Sequence, residues 1–183
     1  MKLKSLVLLL ALAACAEPFV PDTARLTTEQ LGSGADPDVT AMHMAQYAFA
    51  DPSRTYGRPI DAARAAASME YVAGQFYTSP RWSNISALTK EQLLQGRIEV
   101  RNALGVAPGA PSQAVVDRLT AAANAMAAQD RAAAVGLLSG PVFVLPGETV
   151  LARLSAMPYL QMANVSTMKA AGQLFDPNGS DRF

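Results

Sequence analysis

The chain has very few of the residues that build metal sites and disulfides. Its 183 residues include one cysteine, one histidine and one tryptophan. A single cysteine cannot form an internal disulfide, and one cysteine with one histidine cannot supply a zinc or c-type haem motif. The composition therefore predicts no metal and no cofactor. It predicts a fold stabilised by side-chain packing rather than by cross-links.

An excess of charge of one sign and long apolar runs are also missing. Fifteen basic residues face fifteen acidic ones, so the formal net charge is zero. Such a balance gives no electrostatic basis for binding nucleic acid. The apolar run Leu6–Leu12 is far shorter than the ~20 residues that a membrane-spanning helix needs. Because Arg, Asp and Gln interrupt the later alanine-rich regions, no permanent membrane span is expected.

The N-terminus is organised in three zones. Lys2 and Lys4 give a basic start, the apolar run Leu6–Leu12 follows, and small residues surround Cys15. This order is that of a secretory signal peptide. The segment Leu12-Ala13-Ala14-Cys15 resembles the lipobox of bacterial lipoproteins, with leucine three places before the cysteine and two small residues between them. The chain is thus similar, from Met1 to Ala16, to the precursors of that class.

The resemblance implies a particular processing of the chain. Residues 1–14 would be removed as the signal peptide, and Cys15 would carry diacylglycerol on its sulfur, often with a further acyl chain on its amino group. Two or more chains make membrane attachment stable. Ala16 stands where an aspartate would imply inner-membrane retention, so the resemblance implies the outer membrane, with the domain facing the periplasm. An inner-membrane anchor, or release as a soluble secreted protein after ordinary signal cleavage, are the alternatives.

The remaining chain divides into a tether, one domain and a tail. Residues 15–35 contain two prolines and two glycines without a sustained period, which predicts a flexible tether that reaches ~60 Å when extended. Residues 36–175 have helical periodicity and no strand alternation. We therefore expect an all-α domain, an irregular orthogonal bundle of five or six helices. The tail 176–183 is expected to fray.

Capping residues and apolar spacing locate the helices. Asp36 can cap the first helix, Thr89 can open a capping box, and Gly105 can end the helix that begins there. An apolar segment between two prolines, residues 141–146, is predicted to lie extended across the core. The predicted helices cover residues 36–51, 59–77, 89–104, 112–138, 148–156 and 158–174.

Glu70 is the one candidate for catalysis. It falls opposite the polar stripe of its predicted helix, among small residues that favour close packing. If that face is buried, the carboxylate needs a cationic partner or a raised pKa, and a raised pKa would suit a general acid. The alternatives are an internal ion pair with an arginine, or a helix rotated so that Glu70 meets water. His43, the only histidine, is interpreted as a packing or surface residue.

Two loops combine arginine with aromatic residues, which is typical of interface hot spots and of glycan-binding surfaces. The candidate binding residues are Arg54, Tyr56 and Arg58 in the first loop, and Tyr77, Arg81 and Trp82 in the second. Because a helix of ~28 Å separates the loops, they are not expected to form one site. For the second loop, Tyr77 and Trp82 are more simply interpreted as residues that close a small core.

These features favour a non-enzymatic envelope lipoprotein, a structural or interaction accessory. Its expected partners are the membrane, through lipid on Cys15, and an envelope protein or glycan. One alternative is an enzyme acting on envelope glycan through Glu70, with Glu99 or Asp117 as a second carboxylate. Another is a carrier of a small molecule or lipid, since helices rich in Met and Ala can line a pocket.

Overall fold

The computed structural model describes residues 20–27, 30 and 36–175. Over these residues the protein is an all-α bundle, as the sequence predicts, and the only strand-like contact described is an isolated antiparallel bridge between Val106 and Phe143. The signal peptide, Cys15 and the tail 176–183 lie outside the described residues. Seven α-helices are described: α1 (Pro37–Ala50), α2 (Pro59–Thr78), α3 (Ala87–Leu104), α4 (Ser112–Ala127), α5 (Arg131–Leu137), α6 (Gly147–Ser155) and α7 (Gln161–Phe175).

Helix α2 is the centre of the bundle. It contacts α1, α3, α4 and α6, while α7 covers α1 and α3 from the other side. Small side chains let these helices approach α2 closely on several faces at once. The buried alanines of α2 are Ala62, Ala63, Ala65, Ala66, Ala67 and Ala73. A helix buried on nearly all sides positions a polar group near its middle, such as Glu70, inside the protein.

Two of the predicted helix boundaries are confirmed by their hydrogen bonds. The side chain of Asp36 accepts from the backbone N–H groups of Asp38 and Val39, at 3.0 and 3.3 Å, and so caps α1. Gly105 ends α3 with φ at +70°, the left-handed conformation that glycine adopts without a steric penalty. At this point the chain makes a short contact with the predicted extended segment, in which the N–H of Val144 donates to the carbonyl of Gly105 at 2.8 Å.

The predicted N-terminus of α3 is wrong by three residues. Ser86, not Thr89, caps the helix, and its hydroxyl accepts from the backbone N–H of Thr89 at 3.2 Å. Thr89 is instead buried and bonded to the Ser86 hydroxyl. Leu88 is 66 % exposed, so it makes no apolar staple against the helix. Either hydroxyl can cap, and packing against the neighbouring helices selects Ser86.

The predicted helix over 112–138 is two helices. Gln129 has φ at +61° and ends α4, and the side chain of Asp130 then accepts from the N–H of Ala133 at 2.9 Å to begin α5. Neither glycine nor proline marks this break, which explains why the sequence pattern misses it. The last helix also begins later than predicted, at Gln161, because Met157 and Leu160 turn into the core from a non-helical segment.

Part of the predicted flexible tether is packed against the domain. Residues 20–27, called the N-terminal strap below, bury Pro21, Ala24 and Leu26. The strap runs directly over α2, since a Cβ built on Gly74 would lie 2.8 Å from the carbonyl oxygen of Asp22. The prediction of a tether extending to residue 35 is therefore wrong for residues 20–27. In the sequence, the few apolar residues of this segment stand among polar residues and show no regular spacing, so they indicate the packing only weakly.

Helices α3 and α7 approach each other closely at Gly96, so we expect a larger residue there to destabilise the fold. A Cβ added there would lie 2.5 Å from Cε of Met69 and 3.0 Å from the backbone Cα of Ala163. We expect Gly96→Ala to lower the free energy of unfolding by about 1–3 kcal/mol, because a backbone atom must move. The measurement is urea denaturation. Gly136→Ala on α5 is the matched control, since no atom lies within 4 Å of its added Cβ. An equal loss in both variants would contradict the prediction.

Candidate functional site

The buried carboxylate Glu70 lies at the centre of the bundle and is paired with arginine. It is 2 % exposed, and both of its oxygens accept from Arg101, with Nε–Oε2 at 2.8 Å and Nη2–Oε1 at 2.6 Å. A second arginine, Arg97, approaches Oε1 of Glu70 to 3.8 Å. Both arginines come from α3, one helical turn apart, so a single helix supplies the compensating charge to α2.

The strap and the start of α4 complete this ion cluster. Nη1 of Arg97 donates to the backbone carbonyl of Asp22 at 2.7 Å and to the hydroxyl of Ser112 at 3.3 Å. Nη2 of Arg101 also donates to the Ser112 hydroxyl, at 3.2 Å. The carboxylate of Asp22 accepts from the backbone N–H of Ser112. Glu70, Arg97, Arg101, Ser112 and Asp22 therefore form one hydrogen-bonded network, called the ion cluster below.

Burial and charge shift the pKa values within the ion cluster. The backbone N–H of Ser112 holds the pKa of Asp22 below its ordinary value, against partial burial and with help from the Ser112 hydroxyl and Arg97. Burial lowers the pKa of Arg97, and the like charge of Arg101 adds to that effect. For Arg101 burial acts in the same downward direction, but the hydrogen bond and charge of Glu70 outweigh it and raise the pKa.

These contacts remove the basis for Glu70 as a general acid. Its two oxygens are both occupied by a bidentate guanidinium, and the strap covers the cluster from outside. Glu99 accepts from the backbone N–H of Ala163 near the start of α7, at 2.9 Å, and Asp117 accepts from Gln113 at 2.9 Å on the surface of α4. The three carboxylates proposed for glycan hydrolysis thus have separate structural partners and do not form an acid–base pair.

Trp82 and Arg81 belong to a second polar cluster, around the carboxylate of Asp38. Asp38 is 3 % exposed and accepts from the Tyr71 hydroxyl, from Nε1 of Trp82 at 2.9 Å and from Nη1 of Arg81 at 3.2 Å. Arg81 also pairs with Asp36 and stacks on the Trp82 ring, with 4.3 Å from its Cζ to the ring centroid. Burial, reinforced by the hydrogen bond to Asp38, raises the pKa of Tyr71.

The second loop therefore closes the core, as its simpler interpretation predicts. Trp82 is 7 % exposed and packs on Phe76 with the ring centroids 5.0 Å apart. The Tyr77 hydroxyl donates to Glu91 at 3.0 Å. Arg81 and Trp82 are engaged with Asp38, and Arg81 also with Asp36, for which the sequence predicts only a capping role. No sequence spacing indicates that those aspartates meet residues more than forty positions away.

The first loop is different, because its aromatic residue faces solvent, as do two further tyrosines from the same end of α1. Tyr56 is 73 % exposed, Tyr47 at the end of α1 is 57 % exposed, and Tyr159 before α7 is 55 % exposed. The guanidinium of Arg54 lies 4.5 Å above the Tyr47 ring and donates to the Tyr47 carbonyl at 2.9 Å. Arg58 is exposed and pairs with Asp61 at 2.7 Å. We call Tyr47, Arg54, Tyr56 and Tyr159 the tyrosine surface.

The two candidate loops lie at opposite ends of α1. Arg81 contacts Asp36 and Asp38 at its N-terminus, whereas Arg54 contacts Tyr47 near its C-terminus. Fourteen residues of helix separate these ends by ~20 Å. The prediction that the loops do not share one site is thus consistent with the contacts that the structure gives.

Two clefts among the described residues bear on the hypothesis of a carrier. A cleft of about 10 Å³ lies beside the tyrosine surface and is lined by Phe49, Pro52, Thr55 and Tyr159, among others. A second, open cleft of about 220 Å³ lies between Ile60, Met126 and Leu151. Ligand pockets usually measure ~300–1,000 Å³. Neither of these two clefts therefore has the volume that a carried lipid would need.

The described residues include neither a candidate metal site nor a helix that could cross a membrane. They contain no group of three or more His, Cys, Asp or Glu side chains that could hold a metal ion, and His43 lies exposed on α1. No helix among residues 20–27, 30 and 36–175 is both long and apolar enough to cross a membrane.

Comparisons with known proteins give no relative of this chain. No family model matches it, and neither a curated protein nor a solved structure matches it significantly.

The ion cluster predicts a large effect of neutralising Glu70. Glu70→Gln would leave two substantially buried arginines without their nearest counter-charge, so we expect the free energy of unfolding to fall by about 2–4 kcal/mol. Urea denaturation measures the loss. Glu148→Gln breaks the exposed pair with Arg131, which should change stability by less than about 0.5 kcal/mol. A Glu70→Gln protein as stable as the control would refute the structural role assigned to the cluster.

Asp22 predicts a pH dependence of strap packing. Because its pKa is lower in the folded protein than the ordinary value of 3.8, its stabilising contribution is present above about pH 4 and is lost as the pH falls. We expect Asp22→Asn to be less stable than wild type at pH 7 and to lose less stability between pH 7 and pH 3. The test is urea denaturation of both proteins at the two pH values. Parallel pH profiles would contradict the prediction.

Proposed function

We propose that the mature protein is a lipid-anchored, non-enzymatic accessory of the bacterial envelope. The observation that carries the proposal is the position of the only cysteine of the chain. Cys15 follows Leu12-Ala13-Ala14 at the end of a signal-peptide pattern, which is the arrangement that the lipoprotein class modifies. Acyl chains on that residue would hold the domain at a membrane, since each buried methylene contributes ~0.8 kcal/mol.

The packed strap makes the proposed attachment short. Only five residue steps separate Cys15 from Val20, the first described residue, and five extended residues span at most about 18 Å. The domain would thus be held close to its membrane rather than at the ~60 Å that a tether of residues 15–35 allows. The strap also gives the attachment a defined position on the domain, because Asp22 is bonded to α3 and α4.

A short attachment orients the domain. The strap crosses α2 at Gly74, while the loop that bears Tyr56 precedes Pro59 at the other end of the same helix. Fifteen residues of helix correspond to ~22 Å, so the tyrosine surface lies at the far end from the attachment. A protein held in this way would present that end to components beyond its own membrane.

A binding role is favoured over catalysis by the state of the polar groups. The buried carboxylates Glu70 and Asp38 are each held by several donors from neighbouring helices. Such networks stabilise one arrangement of the core, and they leave neither Glu70 nor Asp38 free to act as a general acid or base. The exposed aromatic and arginine side chains of the tyrosine surface are instead the types that contribute most to recognition. We therefore propose an interaction accessory, facing the periplasm from the outer membrane because Ala16 follows Cys15.

The anchor is tested by metabolic labelling with a fatty-acid precursor in cells that make the wild-type protein or Cys15→Ser. We expect label only in the wild type, because no other thiol is present for acylation. Fractionation of the same cells should recover the wild type with the outer membrane. An unlabelled wild type would refute the anchor. Recovery of labelled protein with the inner membrane would refute the proposed destination alone.

A further inference from the structure

The tyrosine surface gathers three of the five tyrosines of the chain on one end of the molecule. They come from three separate elements: Tyr47 from α1, Tyr56 from the loop before α2, and Tyr159 from the segment before α7. The cleft beside them joins the elements, since Thr55 and Tyr159 line it together. Large aromatic side chains that stay more than half exposed contribute little to the core, so their clustering calls for a reason outside folding.

Backbone hydrogen bonds hold the most exposed of these residues in place. The N–H of Tyr56 donates to Pro52 at 3.0 Å, and that of Arg58 donates to Thr55 at 2.9 Å. Gly57 has φ at +70° and donates to the carbonyl of Ser155 at 2.8 Å, which ties the loop to α6. Tyr56 thus projects into solvent from a bonded turn, and a ligand would pay little entropy to order it.

The other members of the tyrosine surface are also oriented. The Tyr159 hydroxyl bonds to Oδ1 of Asn164 at 3.3 Å, and Nδ2 of this buried asparagine donates to the carbonyl of Phe49 at 3.0 Å. Arg54 is fixed by its stacking on Tyr47 and by the hydrogen bond to the Tyr47 carbonyl, which uses one of the five N–H donors of the guanidinium. Flat rings and hydrogen-bond donors are therefore presented together on one end of the domain.

We propose that the tyrosine surface binds a polysaccharide strand of the envelope, a proposal that rests on the proposed function. A sugar ring offers apolar C–H groups to an aromatic face and hydroxyl or amide oxygens to an arginine, which matches the groups presented here. The cleft of about 10 Å³ is too small to seat the anchoring side chain of a protein partner or a small molecule. A strand that lies across exposed rings needs no such pocket.

Charge and position support the same occupant. Around the surface, Arg58 pairs with Asp61 and Arg54 lies near Asp51, so the end has no strong net charge to attract nucleic acid or anionic lipid. The strap crosses α2 at Gly74, ~22 Å along that helix from the loop that bears Tyr56, so the surface is distant from the point where the strap leads toward the proposed lipid anchor. That distance favours a glycan strand beyond the anchoring membrane over the headgroups of the membrane itself.

The test uses the protein as cells produce it, purified in detergent. Co-sedimentation with purified peptidoglycan sacculi measures binding to the polymer, and titration with tetra-N-acetylchitotetraose or cellotetraose measures binding to N-acetylated and unsubstituted strands. We expect the wild type to bind in the sacculus assay and to at least one soluble strand. Tyr56→Ala and Tyr159→Ala should each weaken binding about three- to tenfold, whereas Tyr56→Phe, which keeps the ring, should stay within about twofold.

Leu88→Ala is the matched control, since Leu88 is 66 % exposed and lies at the opposite end of α7 from Tyr159. Tyr56→Ala, Tyr56→Phe and Leu88→Ala should unfold at the wild-type temperature, because each replaced side chain is more than half exposed. Tyr159→Ala also loses the bond to Asn164, so its binding is measured at a temperature where its thermal unfolding curve shows it fully folded. A wild type that binds none of the glycans would overturn the proposal. So would glycan binding that Tyr56→Ala and Tyr159→Ala leave unchanged, or a surface that binds only a protein.

The labelling experiment separates this inference from the proposed function. Label on Cys15 together with no glycan binding would overturn the glycan-binding surface and leave the lipid anchor standing. An unlabelled Cys15 together with tyrosine-dependent binding would overturn the anchor and leave the surface standing.

Discussion

Helix α2 places Glu70 in the centre of the bundle, and groups from the surrounding elements compensate that one buried charge. Removing a carboxylate from water costs several kcal/mol, so it must be met by opposite charge and complete hydrogen bonding. Arg101 supplies both, and Arg97 stands beside it on α3. The two guanidiniums then need acceptors of their own, which Ser112 of α4 and Asp22 of the strap provide. One charge thereby links α2, α3, α4 and the strap.

This linkage gives the N-terminal strap a structural role as well as a connecting one. Because Asp22 bonds to Ser112 and Arg97, the chain that leads toward Cys15 leaves the domain from a fixed point. A lipid anchor joined through so few residues would restrain the distance and the orientation of the domain. The end that bears the tyrosine surface would then be the part most accessible to other envelope components, which connects core electrostatics to the proposed function.

The two arginine–aromatic loops look alike in sequence but have different environments. In the second loop, Trp82 finds the buried acceptor Asp38 and the ring of Phe76, so the polar edge and the apolar face of the indole are both satisfied inside. In the first loop, Tyr56 finds no such acceptor in the contacts described, and a turn bonded to α6 holds it in solvent. Composition could not predict which loop is buried and which is exposed, because the residues that each loop contacts lie in distant parts of the chain.

Local sequence determined the all-α class and several boundaries, including the Asp36 cap and the Gly105 stop, since helical periodicity and capping act within a few residues. It also placed Glu70 on the small-residue face of its helix. It failed at Gln129, where the helix breaks without glycine or proline, and at residues 20–27. Only the tertiary structure decided that Glu70 pairs with Arg101, that Asp22 closes the cluster and that three tyrosines share one end. Those outcomes depend on contacts between residues far apart in sequence, which helix packing alone brings together.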